Sequence, residues 1–111
     1  MNKIHVIAEA GLNHNGKLKQ AYKLVDIAKN AGADFVKFQT SIPELHISKF
    51  AKQAKYQLKN SRKEKTQLRM IKKIVLTYEE FKKIKKYCKK KKIEFLSTPF
   101  DLEAVDFLNP L

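Results

Sequence analysis

The chain has 111 residues, 24 Lys and Arg against 11 Asp and Glu, a net charge of +13, and 43% apolar residues. That apolar share supports a packed core and argues against global disorder. No apolar stretch approaches the roughly 20 residues that cross a bilayer. MNKIHVIAEAG is not a secretory signal pattern. A single cysteine, Cys88, excludes an internal disulfide and a cysteine-rich zinc site, and the expected compartment is a reducing cytoplasm.

Residues 4–8, Ile-His-Val-Ile-Ala, form a short β-branched run that predicts a buried strand. Glu9 closes it, and a polar, glycine-punctuated loop follows to Gly16. From Lys17 the period changes. Leu18, Ala21, Val25 and Ala28, with Leu24 beside them, share one helical face, and Gly32 stands where a left-handed residue ends a helix. Phe35-Val-Lys-Phe-Gln39 predicts a second strand, hence a right-handed β-α-β unit.

Pro43 breaks any continuation, and residues 41–76 predict a long loop after strand 2 that holds one or two short helices. Thr77 and Glu80 have capping-box spacing, with Leu76 and Phe81 at the hydrophobic-staple positions. Phe81, Ile84 and Cys88, with Tyr87 adjacent, form the helix stripe. Ile93-Glu-Phe-Leu-Ser97 is the third predicted strand. Asp101 is expected to cap a last helix whose apolar face would be Leu102, Val105 and Leu108, stopped by Pro110. The order β-α-β-loop-α-β-α is an α/β architecture with parallel strands. Three strands cannot close a barrel and leave exposed edges, so the chain is expected to be a piece of something larger, neither stably folded nor active by itself.

The charge is concentrated. Residues 49–92 hold 18 Lys and Arg against 3 acids, yet only Arg62 and Arg69 are arginine. No helix-turn-helix, zinc-finger or RNP-type pattern accompanies the lysines, so solvated helix faces explain them better than a nucleic-acid-binding module.

Chemistry in parallel α/β folds gathers at the carboxyl ends of the strands. Strand alternation puts Phe35, Lys37 and Gln39 on one face and Val36 and Phe38 on the other. An ammonium inside an apolar strand needs an anion, either Glu9 on the neighbouring strand or a substrate phosphate or carboxylate. Glu9 reads as a functional carboxylate ahead of a strand-end hydrogen-bonding group. His14 orders its loop as readily as it ligates, since one histidine is no metal site. Ser97 and Thr98 offer hydroxyls before Pro99, for an anion or for the following turn. Cys88 lies on the helix stripe as a packing residue.

Three stretches, IAEAGLNHNG (7–16), AKNAGADFVKFQT (28–40) and EFLSTPFD (94–101), resemble in order and spacing the N-terminal part of the sialic-acid synthase family. That family includes N-acetylneuraminate, legionaminate and pseudaminate synthases. The resemblance implies a transferase that condenses phosphoenolpyruvate with an N-acetylated amino sugar to a nine-carbon 2-keto acid and releases phosphate. It implies a partial TIM (β/α)8 barrel, with residues 1–111 supplying about the first three β/α units. The later strands and an antifreeze-like C-terminal domain would lie beyond. It also implies Mn²⁺ or Mg²⁺ held by histidines outside this chain, and a homodimer. By matching positions, Lys37 and Thr98 would hold phosphoenolpyruvate, with Ser97 and Gln39 as neighbours. Glu9 would face the sugar as the catalytic acidic residue, and Asn60 would touch it through a loosely matched segment. Another phosphoenolpyruvate-using or aldolase-type barrel is the alternative enzyme.

Overall fold

The computed structural model describes residues 2–48 and 66–111. Three strands form one parallel sheet, β1 (Ile7–Gly11), β2 (Phe35–Thr40) and β3 (Glu94–Pro99), in that spatial order. Between them lie α1 (Leu18–Asn30), a 3-10 turn at Pro43–Leu45, α2 (Gln67–Ile74) and α3 (Tyr78–Lys91), and α4 (Leu102–Leu108) follows β3.

The period-2 pattern of β2 decides which face is core. Val36, Phe38 and Thr40 are fully buried, while Phe35, Lys37 and Gln39 between them are half-buried. Ala21, Val25 and Ala28 of α1 and Phe81, Ile84 and Cys88 of α3 pack with Val36 and Phe38 into one core. The two helices are also tied at their surface, where Tyr87 donates to Asp26 at 2.7 Å and the Tyr22 and Tyr87 rings lie 4.4 Å apart. Burial in this stripe pushes the Cys88 thiol up to about 11, so at neutral pH it packs as a protonated apolar group.

The start of α3 follows the expected chemistry. The Glu80 amide donates to the Thr77 hydroxyl at 3.2 Å, and the Thr77 amide donates back to the Glu80 carboxylate at 2.8 Å. Leu76 and Phe81, the staple pair, are both buried. The helix closes on Lys92 at φ 59° rather than on a glycine, and the Lys92 carbonyl accepts from the Lys29 ammonium at 3.0 Å.

Two expectations need correction. The first strand runs over residues 7–11 rather than 4–8, and it is buried only at its end: Ile7 is 50% exposed, and Ile4, ahead of the strand, 85%. The segment before it is held differently, with the Val6 amide donating to the Asp34 carboxylate at 2.8 Å and the Val6 carbonyl accepting from the Asp34 and Phe35 amides. The last helix buries Ala104 and packs Phe107 against the core, leaving Leu102 84% exposed. The face is set by Phe107, which stacks on Tyr78 of α3 with centroids 4.0 Å apart, and not by the Leu-Val-Leu spacing. Residues 41–76 do hold short helical pieces, the turn at Pro43–Leu45 and α2.

Two glycines test the loop packing. Both have positive φ, +72° at Gly16 and +84° at Gly32. A Cβ on Gly16 would lie 2.5 Å from the Lys73 carbonyl oxygen, whereas one on Gly32 would meet nothing within 4 Å. Gly32→Ala should therefore cost only the left-handed penalty of about 1–2 kcal/mol. Gly16→Ala should cost more, because the backbone of α2 must move. Urea midpoints of the two variants check this, and the reverse order would disprove the close approach.

Candidate active site

The strand register assembles the sequence-derived candidates from three different strands. Glu9 pairs with Lys37 across β1 and β2, Lys37 with Leu96 and Gln39 with Thr98 across β2 and β3. Equal parity along paired parallel strands puts Glu9, Lys37, Gln39 and Thr98 on the same face of the sheet, the one opposite the helix-covered core. The Lys37 ammonium lies 2.9 Å from the Glu9 carboxylate, with the two side chains 36% and 53% exposed. So Glu9 is the counter-ion, and the pair is reachable from solvent.

An irregularity in the β1–β2 pairing between Glu9 and Gly11 takes Ala10 out of the register. It brings the strand end towards Gln39. A Cβ on Gly11 would lie 3.6 Å from the Glu9 Oε1 and 3.8 Å from the Gln39 Nε2, so both side chains border this glycine. A carboxylate, an ammonium, an amide and a hydroxyl thus line one patch at the carboxyl ends of the strands. The ammonium and hydroxyl suit an oxyanion, and the carboxylate suits sugar hydroxyls or a proton.

Ser97 goes elsewhere. It pairs with Phe38 and so shares the core-facing side, where its hydroxyl lies 2.6 Å from that of Thr40. This separates it from Thr98, its neighbour in sequence. Asn60 lies outside the described residues.

His14 is fully buried against Phe38, with ring centroids 6.1 Å apart. Its Nδ1 accepts from the Gly16 amide at 3.0 Å, which makes it the organiser of the loop after β1. Nε2 is buried with no hydrogen-bond partner among the described residues. Burial lowers the imidazole below its ordinary value, against a smaller opposing pull from Glu80. The folded state therefore resists a proton that the unfolded chain accepts near pH 6.5. Stability should be full above about pH 6.5 and fall as the pH drops below it, towards the depressed folded value. Urea midpoints between about pH 5 and 8 should show this acid limb flattened in His14→Gln. An identical slope in both proteins would show that His14 is not its source.

Sequence reasoning missed the outer wall of the site. A cavity of about 370 Å³ opens beside Gln39, between the loop after β2, α2 and the corner after β3. His46 and Phe100 stack there with centroids 5.7 Å apart. Asp101 fixes this corner twice, accepting from the Ile42 amide at 2.6 Å and from the Ala104 amide at 2.7 Å. Only the Asp101 cap was visible in the sequence. The cross-link to Ile42 spans 59 residues and has no local signature.

A family model described as the NeuB family matches residues 24–111. The chain belongs to the NeuB family. Among curated NeuB relatives, it is 51% identical to the N,N'-diacetyllegionaminic acid synthase of Campylobacter jejuni over 111 residues, all of this chain and 33% of that protein. It is 32% identical to the N-acetylneuraminate-9-phosphate synthase of Homo sapiens over 106 residues, 96% of this chain and 29% of that one. The crystal structure of the N-acetylneuraminic acid synthetase of Leptospira borgpetersenii superposes with a TM-score of 0.78 at 31% identity, over 98% of this chain and 33% of that one. The chain thus spans about a third of the length of the curated relatives it matches. The shared fold is α/β with a three-stranded parallel sheet.

The metal that the resemblance implies finds no ligand set here. No group of three or more His, Cys, Asp or Glu side chains that could hold an ion occurs among the described residues. Glu9 beside an ammonium is not a cation site by itself. No described helix is long and apolar enough to cross a membrane.

Proposed function

We propose that the protein carrying this chain condenses phosphoenolpyruvate with an N-acetylated amino sugar to a nine-carbon 2-keto sugar acid, releasing phosphate. The chain would contribute the first three β/α units of a TIM barrel. The observation that carries this reading is the Glu9–Lys37 pair on the exposed sheet face, held 2.9 Å apart with Gln39 alongside, in a chain of a synthase-containing family.

The chemistry assigns each side chain a task. Phosphoenolpyruvate is a small polyanion, so Lys37 neutralises its phosphate or carboxylate and Thr98 donates a hydrogen bond beside it. Gln39 is the amide neighbour. C3 of phosphoenolpyruvate attacks the aldehyde carbon of the open-chain sugar and forms the new C–C bond. Water adds at C2, and the C2–O bond breaks as phosphate leaves with the bridging oxygen. Glu9, opposite Lys37, accepts hydrogen bonds from sugar hydroxyls or carries a proton for the new hydroxyl. Ser97, turned to the core, supports β3 through Thr40 instead of touching the anion. A divalent metal that activates the aldehyde, a homodimer and a cytoplasmic location belong to the same proposal, on the strength of the resemblance; Asn60 stays in it as a sugar contact.

Phosphate release by the protein carrying this chain tests the reading, with phosphoenolpyruvate, Mn²⁺ and an N-acetylated amino sugar. Phosphate should appear mole for mole with the keto acid and only when the sugar is present. Release that ignores the sugar, or no release, rejects it.

A further inference from the structure

We infer that Thr40 is a positioning residue for the anion site, gripping the end of β3 so that the Thr98 hydroxyl is held on the Lys37 face; this rests on the synthase reading above. The core-facing row of β2 is Val36, Phe38 and Thr40, all fully buried. Valine would fill the last position with nearly the shape of threonine. A hydroxyl taken out of water costs free energy unless it is hydrogen-bonded. The Thr40 hydroxyl has such a bond, 2.6 Å to the Ser97 hydroxyl of β3. What threonine adds over valine here is therefore a link between the two strands.

The link lies where the site needs it. Thr98 pairs with Gln39, on the face opposite the core. Thr40 grips β3 on both sides of Thr98: its hydroxyl holds Ser97, and its carbonyl accepts from the Phe100 amide at 3.1 Å. Two residues on, the Ile42 amide donates to Asp101 at 2.6 Å, which ties the loop after β2 to the same corner. The ladder between β2 and β3 ends at the Thr40–Pro99 pair. Element ends open most readily, so a buried side-chain bond at this rung fixes what the backbone alone leaves loose. An anion shared by an ammonium on β2 and a hydroxyl on β3 needs the two strand ends at one fixed separation.

The test titrates phosphoenolpyruvate calorimetrically, with Mn²⁺ present, into the protein carrying this chain, and measures the urea midpoint of each variant. Thr40→Val, which removes the hydroxyl and keeps the shape, should weaken phosphoenolpyruvate binding about tenfold. Ser97→Ala should weaken it to the same degree and serves if the valine variant does not fold. The double variant should lose no more than either single one, because both remove the same bond. Thr40→Ser keeps the hydroxyl and gives up a buried methyl, so it should keep the affinity while its urea midpoint falls. A merely structural Thr40 gives another pattern: the valine variant binds as wild type does, or affinity falls with the midpoint in the serine and valine variants alike. Either result, or a double variant that multiplies the two single losses, overturns the positioning role while phosphoenolpyruvate binding by wild type stands. Wild type that binds no phosphoenolpyruvate overturns the synthase reading and the positioning role with it.

Discussion

Lys37→Ala is expected to weaken phosphoenolpyruvate binding by about 2–4 kcal/mol, the scale for losing a charge-assisted contact to an anion. The same change should cost the fold little. In this chain by itself Lys37 and Glu9 are both partly exposed in their pair, and ion pairs in that setting contribute about 0–1 kcal/mol. The two magnitudes separate function from structure. If the pair existed to stabilise the sheet, both quantities would move together. Calorimetric titration of phosphoenolpyruvate into wild type, Lys37→Ala and Lys37→Arg, with urea midpoints for each, makes the comparison. The arginine variant keeps the charge and should retain part of the affinity, though its planar fork is not an ammonium. Unchanged affinity in Lys37→Ala would remove Lys37 from the site.

Phe38→Ala should have the largest effect on the fold, about 3–5 kcal/mol. Phe38 is fully buried in the central strand, on the reverse side from Lys37. Its ring lies 6.1 Å from those of His14 and Phe95 and 6.4 Å from that of Phe81, so truncation opens a void where the loop after β1, β3 and α3 meet. Against a typical total of about 5–15 kcal/mol, that loss threatens the folded state itself. Leu102→Ala, at 84% exposure, should stay within about 0.5 kcal/mol. Chemical denaturation reads both. Equal effects would contradict the assignment of the core to the Val36–Phe38 face.

How much of this was legible follows from which signals are local. The α3 start was fully written in Leu76, Thr77, Glu80 and Phe81, because capping is settled within one turn. The alternation of β2 was equally plain and placed Lys37 on the face opposite Val36 and Phe38. β1 was misplaced because Ile4, Val6 and Ile7 outweighed Ala8-Glu9-Ala10 by β propensity. Propensity does not know that β2 offers its ladder from Ile7 onwards and that Asp34 holds Val6 instead. A carboxylate looked like a strand end, yet Lys37 on the neighbouring strand pairs with Glu9 and accommodates it inside the strand.

α4 failed for a related reason. Leu102, Val105 and Leu108 keep a helical period, but Ala104 and Phe107 do so too, and only the Tyr78 ring decides between them. Ser97 and Thr98 could not be told apart by type, and the register assigns them opposite faces. The cavity was invisible because Leu12, His46, Gln67 and Phe100 come from four separate segments.

The central claim is that Lys37 and Thr98 hold the phosphoenolpyruvate anion on the sheet face that carries Glu9. A crystal structure of the protein carrying this chain with phosphoenolpyruvate bound tests it most directly. The account predicts a phosphate or carboxylate oxygen within hydrogen-bond distance of the Lys37 Nζ and the Thr98 Oγ1. Phosphoenolpyruvate bound away from this face, with Lys37 still paired to Glu9 alone, would contradict it.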